Sequence, residues 1–441
     1  MPNIYLASLG CDKNRVDGET MIGTLRSAGY AVVNDPSLAA AIVVNTCGFI
    51  RDAVEESINL ILELAEYKHE GECKALVVVG CMAERYRDEI QKSIPETDVI
   101  IGVGQYENIA EVMHGLVGAP SHKPENSGLA RIAARADDAT PHIAYVKIAE
   151  GCDNHCTYCT IPSIRGPYRS RTMEDIIEES RQLIAAGARE IVLVAQDTTL
   201  YGTDIYGEKK LPELLRNLAK LKDIIWIRLM YAYPEHITDE LINTMAELPQ
   251  VCKYIDMPIQ HSENIILRAM GRGSFSKKEL IAKIQALRER MPRITIRTTV
   301  IVGFPGEGTR EFERLCTFVK TMEFERLGVF PYSQEEGTPA SVMPAQKLEN
   351  TKLARMEKLM ELQQRIHFDK QSNIIGDKVN VIVDSRGDNA GEYVGRTQRD
   401  AYEVDSVVFF SSENELAPGD LCRVKITKRD QYDLRGVAIA T

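Results

Sequence analysis

The sequence lacks any apolar run approaching the roughly 20 residues needed to span a bilayer. Its opening stretch, "MPNIYLASLGCDKN", lacks the basic region and apolar core of a secretory signal. Both absences set membrane insertion and secretion aside, and a cytoplasmic location is expected. A surplus of positive charge is also missing. Against 53 Lys and Arg stand 64 Asp and Glu, a net −11. Nucleic-acid binders usually carry a basic surface. The acidity is uneven, with 9 basic and 18 acidic side chains in residues 1–120, 35 and 34 in 121–370, and 9 and 12 in 371–441. An acidic first segment either keeps the protein in solution or suits a basic protein partner. Ten cysteines in 441 residues are too sparse for a disulfide framework. In a reducing compartment they are metal ligands, catalysts or buried small residues.

What is present is a repeating pattern. "NIYLASLGC", "AAIVVNTCGF" and "KALVVVGCMAE" read as strands, each followed by a helix-like stretch. Strands alternating with helices predict a parallel sheet covered on both faces, a three-layer α/β domain over residues 1–118. Each strand ends in a cysteine: Cys11, Cys47 and Cys81. Ligands bind beyond the carboxyl ends of parallel strands, so the three thiols are expected to converge. Residues 119–140, rich in Gly, Pro, Ser and charge, read as a linker. Six further βα units follow, from "HIAYVKI" to "ERLGVFPY", within 141–370. Six are too few for a closed eight-stranded barrel and predict an incomplete one. A charged helix over 347–372 then leads into short alternating strands: "KVNVIVDS", "GEYVGRTQ", "SVVFFSS" and "LCRVKITKR". Residues 371–441 are expected to form a small antiparallel barrel of the OB-like type.

The stretch "EGCDNHCTYCTIPSIRG" places Cys152, Cys156 and Cys159 just after the first strand of the six-unit domain. Zinc would want a fourth paired ligand. His155 lies inside the motif, but ligation by adjacent residues would strain the loop. A 4Fe–4S cluster held by three thiolates with one open iron fits better.

C-x3-C-x2-C in this position resembles the radical S-adenosylmethionine (SAM) superfamily. The whole chain resembles the methylthiotransferases, with a C-terminal TRAM domain. The resemblance implies a second 4Fe–4S cluster on Cys11, Cys47 and Cys81, both open irons being reactive, and SAM on the first. Within that family, "SLGCDKNRVDGE" and "NTCGFIRDAVEES" look like the branch that modifies an aspartate of ribosomal protein uS12. Gly18 stands where that branch usually has Ser. The implied reaction is radical methylthiolation of the aspartate β-carbon to 3-methylthioaspartate, with a flavodoxin or ferredoxin as electron donor. A tRNA adenosine methylthiotransferase (MiaB-like) and a non-catalytic zinc or RNA-binding scaffold are the alternatives. The resemblance also suggests SAM contacts, each with a plainer reading beside it. Tyr158 either flanks adenine or packs in the core. Gln196 and Asp197, in "LVAQDTT", end the second strand where the amino group is handled. Arg297 either holds the SAM carboxylate or forms a structural ion pair. Gly303, in "VIVGFPGE", either lets backbone approach adenine or makes a tight turn.

Overall fold

A computed structural model describes residues 2–120 and 141–440. Most of the expected linker, 121–140, lies outside the described residues. Among them, no helix is long and apolar enough to cross a membrane.

The first domain is a five-stranded parallel sheet. Its strands are β1 (Asn3–Ser8), β2 (Ala31–Val33), β3 (Ala41–Thr46), β4 (Ala75–Gly80) and β5 (Val99–Ile101), in the order β2-β1-β3-β4-β5. Strands β3 and β4 are buried throughout, and their side chains alternate between two apolar cores, one on each face. That is the signature of a central parallel strand. The three cysteine-ended strands, β1, β3 and β4, are adjacent in the sheet. Two strands of this sheet escaped the sequence reading, β2 and β5, each only three residues long.

The second domain contains β6 (Ile143–Lys147), β9 (Glu190–Val194), β10 (Trp226–Leu229), β11 (Val251–Asp256), β12 (Thr295–Val302) and β13 (Arg326–Pro331). They form one parallel sheet in the order β13-β12-β11-β10-β9-β6, open between β6 and β13 as expected. A two-stranded hairpin, β7 (Ala149–Glu150) with β8 (Arg169–Ser170), brackets the cysteine loop.

The third domain is a closed barrel of β14 (Lys378–Arg386), β15 (Glu392–Arg396), β16 (Val408–Ser411), β17 (Leu421–Asp430) and β18 (Asp433–Ala438). It departs from a purely antiparallel barrel, because β16 and β18 pair in parallel to close it. The long helix Glu349–Ser372 wedges between β13 and this barrel, with Gln371 donating to the Tyr432 carbonyl.

The first domain grips both edges of the open sheet. Next to β6, Asp17 accepts hydrogen bonds from Lys147 and Arg165. Beyond β13, Glu335 accepts from Arg85 (3.0 Å) and from the Arg51 backbone N–H (2.9 Å). The third domain plugs the opposite, amino-terminal end of the strands. Arg396 spans Glu190 at 2.9 Å and Asp384 at 2.8 Å, and Arg228 meets Glu190 at 2.6 Å. All four side chains are buried. Burial alone would raise the Glu190 carboxyl; Arg228 and Arg396 outweigh it and hold it below the usual range. Removing one partner of a buried ion cluster costs about 3–5 kcal/mol. Trp226, the chain's single tryptophan, packs in the same apolar cluster as Ile382 and Ala401 of the plug. Its fluorescence therefore reports the docking. Arg396→Met is expected to lower the urea midpoint of the Trp226 signal; an unchanged midpoint would show the ion cluster to be idle.

Candidate functional site

The first cysteine triad forms where three neighbouring strands end. Cys11 follows β1 and caps the helix Asp12–Ser27; it is exposed. Cys47 follows β3, with its N–H donating to the Ser57 hydroxyl at 3.1 Å while that hydroxyl donates to the Cys47 carbonyl at 3.0 Å. Cys81 opens the short helix Cys81–Arg85 after β4. Asn14 ties the three ends together. Its amide donates to the Leu9 and Thr46 carbonyls, both at 2.9 Å, and its oxygen faces the Cys81 thiol at 3.6 Å. Burial pushes the Cys47 thiol up and the Cys81 thiol to about 11, and Cys81 feels both Cys11 and Cys47 electrostatically.

The second triad lies on the loop between β7 and the helix Ile161–Arg165. Gly151 starts it at φ +80°, and a Cβ there would collide with the Pro167 carbonyl oxygen, so only glycine serves. The Cys152 N–H donates to the Gly166 carbonyl at 3.1 Å, and the Cys159 N–H to the Cys156 carbonyl at 3.1 Å. From the barrel side, the Thr157 hydroxyl donates to the Ala269 carbonyl at 2.8 Å. Burial pushes Cys152 up to about 11 and Cys159 to about 12. His155 points outward and is exposed.

All six thiols are free. Among the described residues, no three His, Cys, Asp or Glu side chains close on a single ion. Each triad is a set of three thiols. That arrangement suits a cluster with one iron per sulfur better than one tetrahedral zinc. Burial raises Cys47, Cys81, Cys152 and Cys159, so a metal group replaces protons as it binds there.

A buried charge network joins the triads. Arg165, 3% exposed, donates through Nη1 to Asp17 (2.9 Å) and Glu150 (3.1 Å). Through Nη2 it donates to the Asn14 oxygen and to Cys81 Sγ (3.2 Å). Lys147 bridges the same two carboxylates. Burial alone would raise the Glu150 carboxyl; Lys147 and Arg165 outweigh it and hold it at about 2. Glu150 stands two residues before Cys152, and Arg165 six after Cys159. One guanidinium thus touches a thiol of the first triad and braces the loop that carries the second.

Gln196 lies two residues beyond β9 and donates to Glu150 at 2.8 Å; among the described residues its buried oxygen has no partner. Asp197 is saturated by Asn154 of the cysteine loop (3.1 Å), His236 (2.8 Å) and the Thr199 backbone N–H (3.0 Å). It braces the loop. Tyr158 is half-buried and packs edge-on against Phe304, ring centroids 6.4 Å apart. Arg297 faces the barrel interior and pairs with Asp256 at 2.8 Å. Gly303, at φ +72°, has Lys352 where a Cβ would go, so packing of the long helix accounts for that glycine. His261 is buried, with Nδ1 accepting from the Glu263 N–H at 3.0 Å. Cys73, Cys252, Cys316 and Cys422 stand in or against apolar cores away from both triads. Sequence reading missed Asn14, Asp17, Lys147, Glu150 and Arg165 as site residues. Glu150 and Arg165 flank the cysteine motif itself, which was the available signal.

Comparison with known proteins gives this geometry a family. Residues 3–102 match the model of an uncharacterized family, UPF0004, residues 146–319 the radical SAM superfamily and residues 375–439 the TRAM domain. The ribosomal protein uS12 methylthiotransferase RimO of Desulforamulus reducens is 48% identical over 441 residues, 99% of both chains. The chain belongs to the RimO family. The RimO protein of Lachnoclostridium phytofermentans is 46% identical over 438 residues, again 99% of both chains. Among solved structures, the radical SAM methyltransferase TsrM of Kitasatospora setae, with cobalamin and a [4Fe-4S] cluster bound, aligns with a TM-score of 0.54. It is 13% identical and covers 78% of this chain and 74% of its own, a likeness of fold alone.

For this RimO-family chain the network yields a direct expectation. Arg165→Leu leaves Asp17 and Glu150 sharing one cation in a buried site, a loss of about 3–5 kcal/mol. A thermal melt of the metal-free protein should show a fall of several degrees, roughly in proportion to that loss. A melt identical to the parent would mean that the network does not hold the two domains together.

Proposed function

We propose that this chain is a radical SAM methylthiotransferase that modifies the β-carbon of an aspartate in ribosomal protein uS12, giving 3-methylthioaspartate. In this reading Cys152, Cys156 and Cys159 hold the 4Fe–4S cluster that takes SAM, and Cys11, Cys47 and Cys81 hold a second. The domain division that goes with it is 1–118, 141–370 and 371–441. Two all-thiol triads at the carboxyl ends of two parallel sheets, joined by Arg165, are the observation that carries it. The clusters and SAM, when bound, supply the adenosyl radical and the methylated sulfur; the target C–H bond is one that no ordinary base can break. The protein's own part is placement and shelter. Asn14 and Ser57 fix the first triad, and Asp197, Thr157 and the β7–β8 hairpin fix the second. Tyr158, Gln196, Arg297 and Gly303 are the proposed neighbours of SAM. Of these, Gln196 carries the unpartnered oxygen that an ammonium group would satisfy. Asp197 serves SAM indirectly, through the loop it braces. The acidic first domain, with 18 acidic and 9 basic side chains in residues 1–120, complements a basic protein partner. A flavodoxin or ferredoxin in the cytoplasm would supply electrons.

Anaerobic reconstitution should give about eight irons per chain. Replacing Cys152, Cys156 and Cys159 together by Ala should leave about four and abolish SAM cleavage. Replacing Cys11, Cys47 and Cys81 should also leave about four but spare cleavage while stopping product. Loss of cleavage in both variants would show the roles to be wrongly divided. Mass spectrometry of uS12 and of tRNA after reaction separates the substrates; modified tRNA beside unmodified uS12 would end the assignment.

A further inference from the structure

The proposed target carbon lies one bond from a carboxylate. A site that takes in that carbon must also take in its negative charge, and burying an unpaired carboxylate is strongly unfavourable. A cation at the junction of the two triads would pair that charge. Most cations there are already committed. Arg165 and Lys147 are shared between Asp17 and Glu150. Arg272 is held by Glu235 through two hydrogen bonds of 3.0 Å, and Arg297 is held by Asp256.

Lys13 differs. It lies two residues after Cys11, on the first turn of the helix Asp12–Ser27, and is only 8% exposed. Its ammonium stands 3.3 Å above the centre of the Tyr231 ring. Among the described residues it forms no ion pair and no hydrogen bond, whereas a buried lysine is normally paired. The platform beneath it is built with some strain. Tyr231 follows β10 at the barrel mouth with φ +56°, a left-handed conformation costly for an aromatic residue. Two carboxylates hold it there. The Tyr231 N–H donates to Asp256 at 3.1 Å, and its hydroxyl donates to Asp12 at 2.9 Å. Asp12 adjoins Cys11, and Asp256 ends β11, so the tyrosine bridges the first triad and the mouth of the second domain. Its ring face steers the ammonium by a cation–π contact and leaves the hydrogen-bonding capacity of Nζ unused.

We propose that Lys13 is the receptor for the side-chain carboxylate of the target aspartate, with Tyr231 as its platform. The inference rests on the proposed substrate and adds the residue that selects it. A charge-assisted pair formed there discriminates aspartate from asparagine, which has the same shape and no charge.

The test uses anaerobically reconstituted protein with two substrates, full-length uS12 and its variant carrying Asn at the modified position. Binding is measured by fluorescence anisotropy and product by mass spectrometry. The parent should bind the aspartate form roughly 10-fold or more tighter than the asparagine form. Lys13→Met, with iron content at the parent level, should bind both forms alike and show a raised KM for uS12. Lys13→Arg should recover part of the preference. Should the Met variant fail to load iron, Lys13→Gln serves the same comparison. A variant without the cation that keeps the aspartate preference overturns the proposal. Failure of the underlying reading looks different: the parent itself would bind neither form of uS12, and both ideas would fall.

Discussion

The arrangement depends on one buried guanidinium. Arg165 reaches a thiol of the first triad, an asparagine that gathers three strand ends, and two carboxylates, Asp17 of the first domain and Glu150 just before the second triad. Burying a charge is costly unless it is paired. Asp17, Glu150, Lys147 and Arg165 balance one another, two acids against two bases. The geometry is also restrictive. A planar fork with fixed donor directions cannot serve four acceptors unless the two domains meet in one orientation. The distance between the proposed reaction centres is thus set by side-chain chemistry and not by the linker.

Much of this was legible in the sequence, for identifiable reasons. Apolar runs that end in cysteine and recur at βα spacing announced the first triad, and a tight motif after a strand announced the second. The open six-stranded sheet followed from the number of repeats. The short strands β2, β5 and β18 were not legible, since three apolar residues carry no period, and "DLRGVA" looks like a tail. The network was hidden for another reason. Asp17 and Arg165 lie in different domains, and no local pattern links an acid on one helix to an arginine closing a distant loop. Asp197 shows the limit from the other side. Its place at a strand end suggested cofactor contact, and its oxygens are occupied by Asn154 of the cysteine loop, His236 and Thr199.

The third domain illustrates the same economy of charge at the far end of the barrel. Its Arg396 enters a buried interior already holding Glu190 and Arg228, and Asp384 and His142 complete the set. Such clusters add little net stability compared with an apolar core, but any misplacement strands a charge. The domain is held at the strands' amino-terminal ends, leaving the carboxyl ends, with both triads, to the first domain.

An open sheet has two free margins, and nothing in its own hydrogen bonding fixes the gap between them. Here the first domain is fastened to both, through Asp17 beside β6 and through Arg85 with the Arg51 N–H beyond β13. It therefore works as a keystone works in an arch. The width of the aperture is gauged by a separate piece of the chain, and the two halves of the reaction chamber cannot drift apart without unseating the piece that completes it.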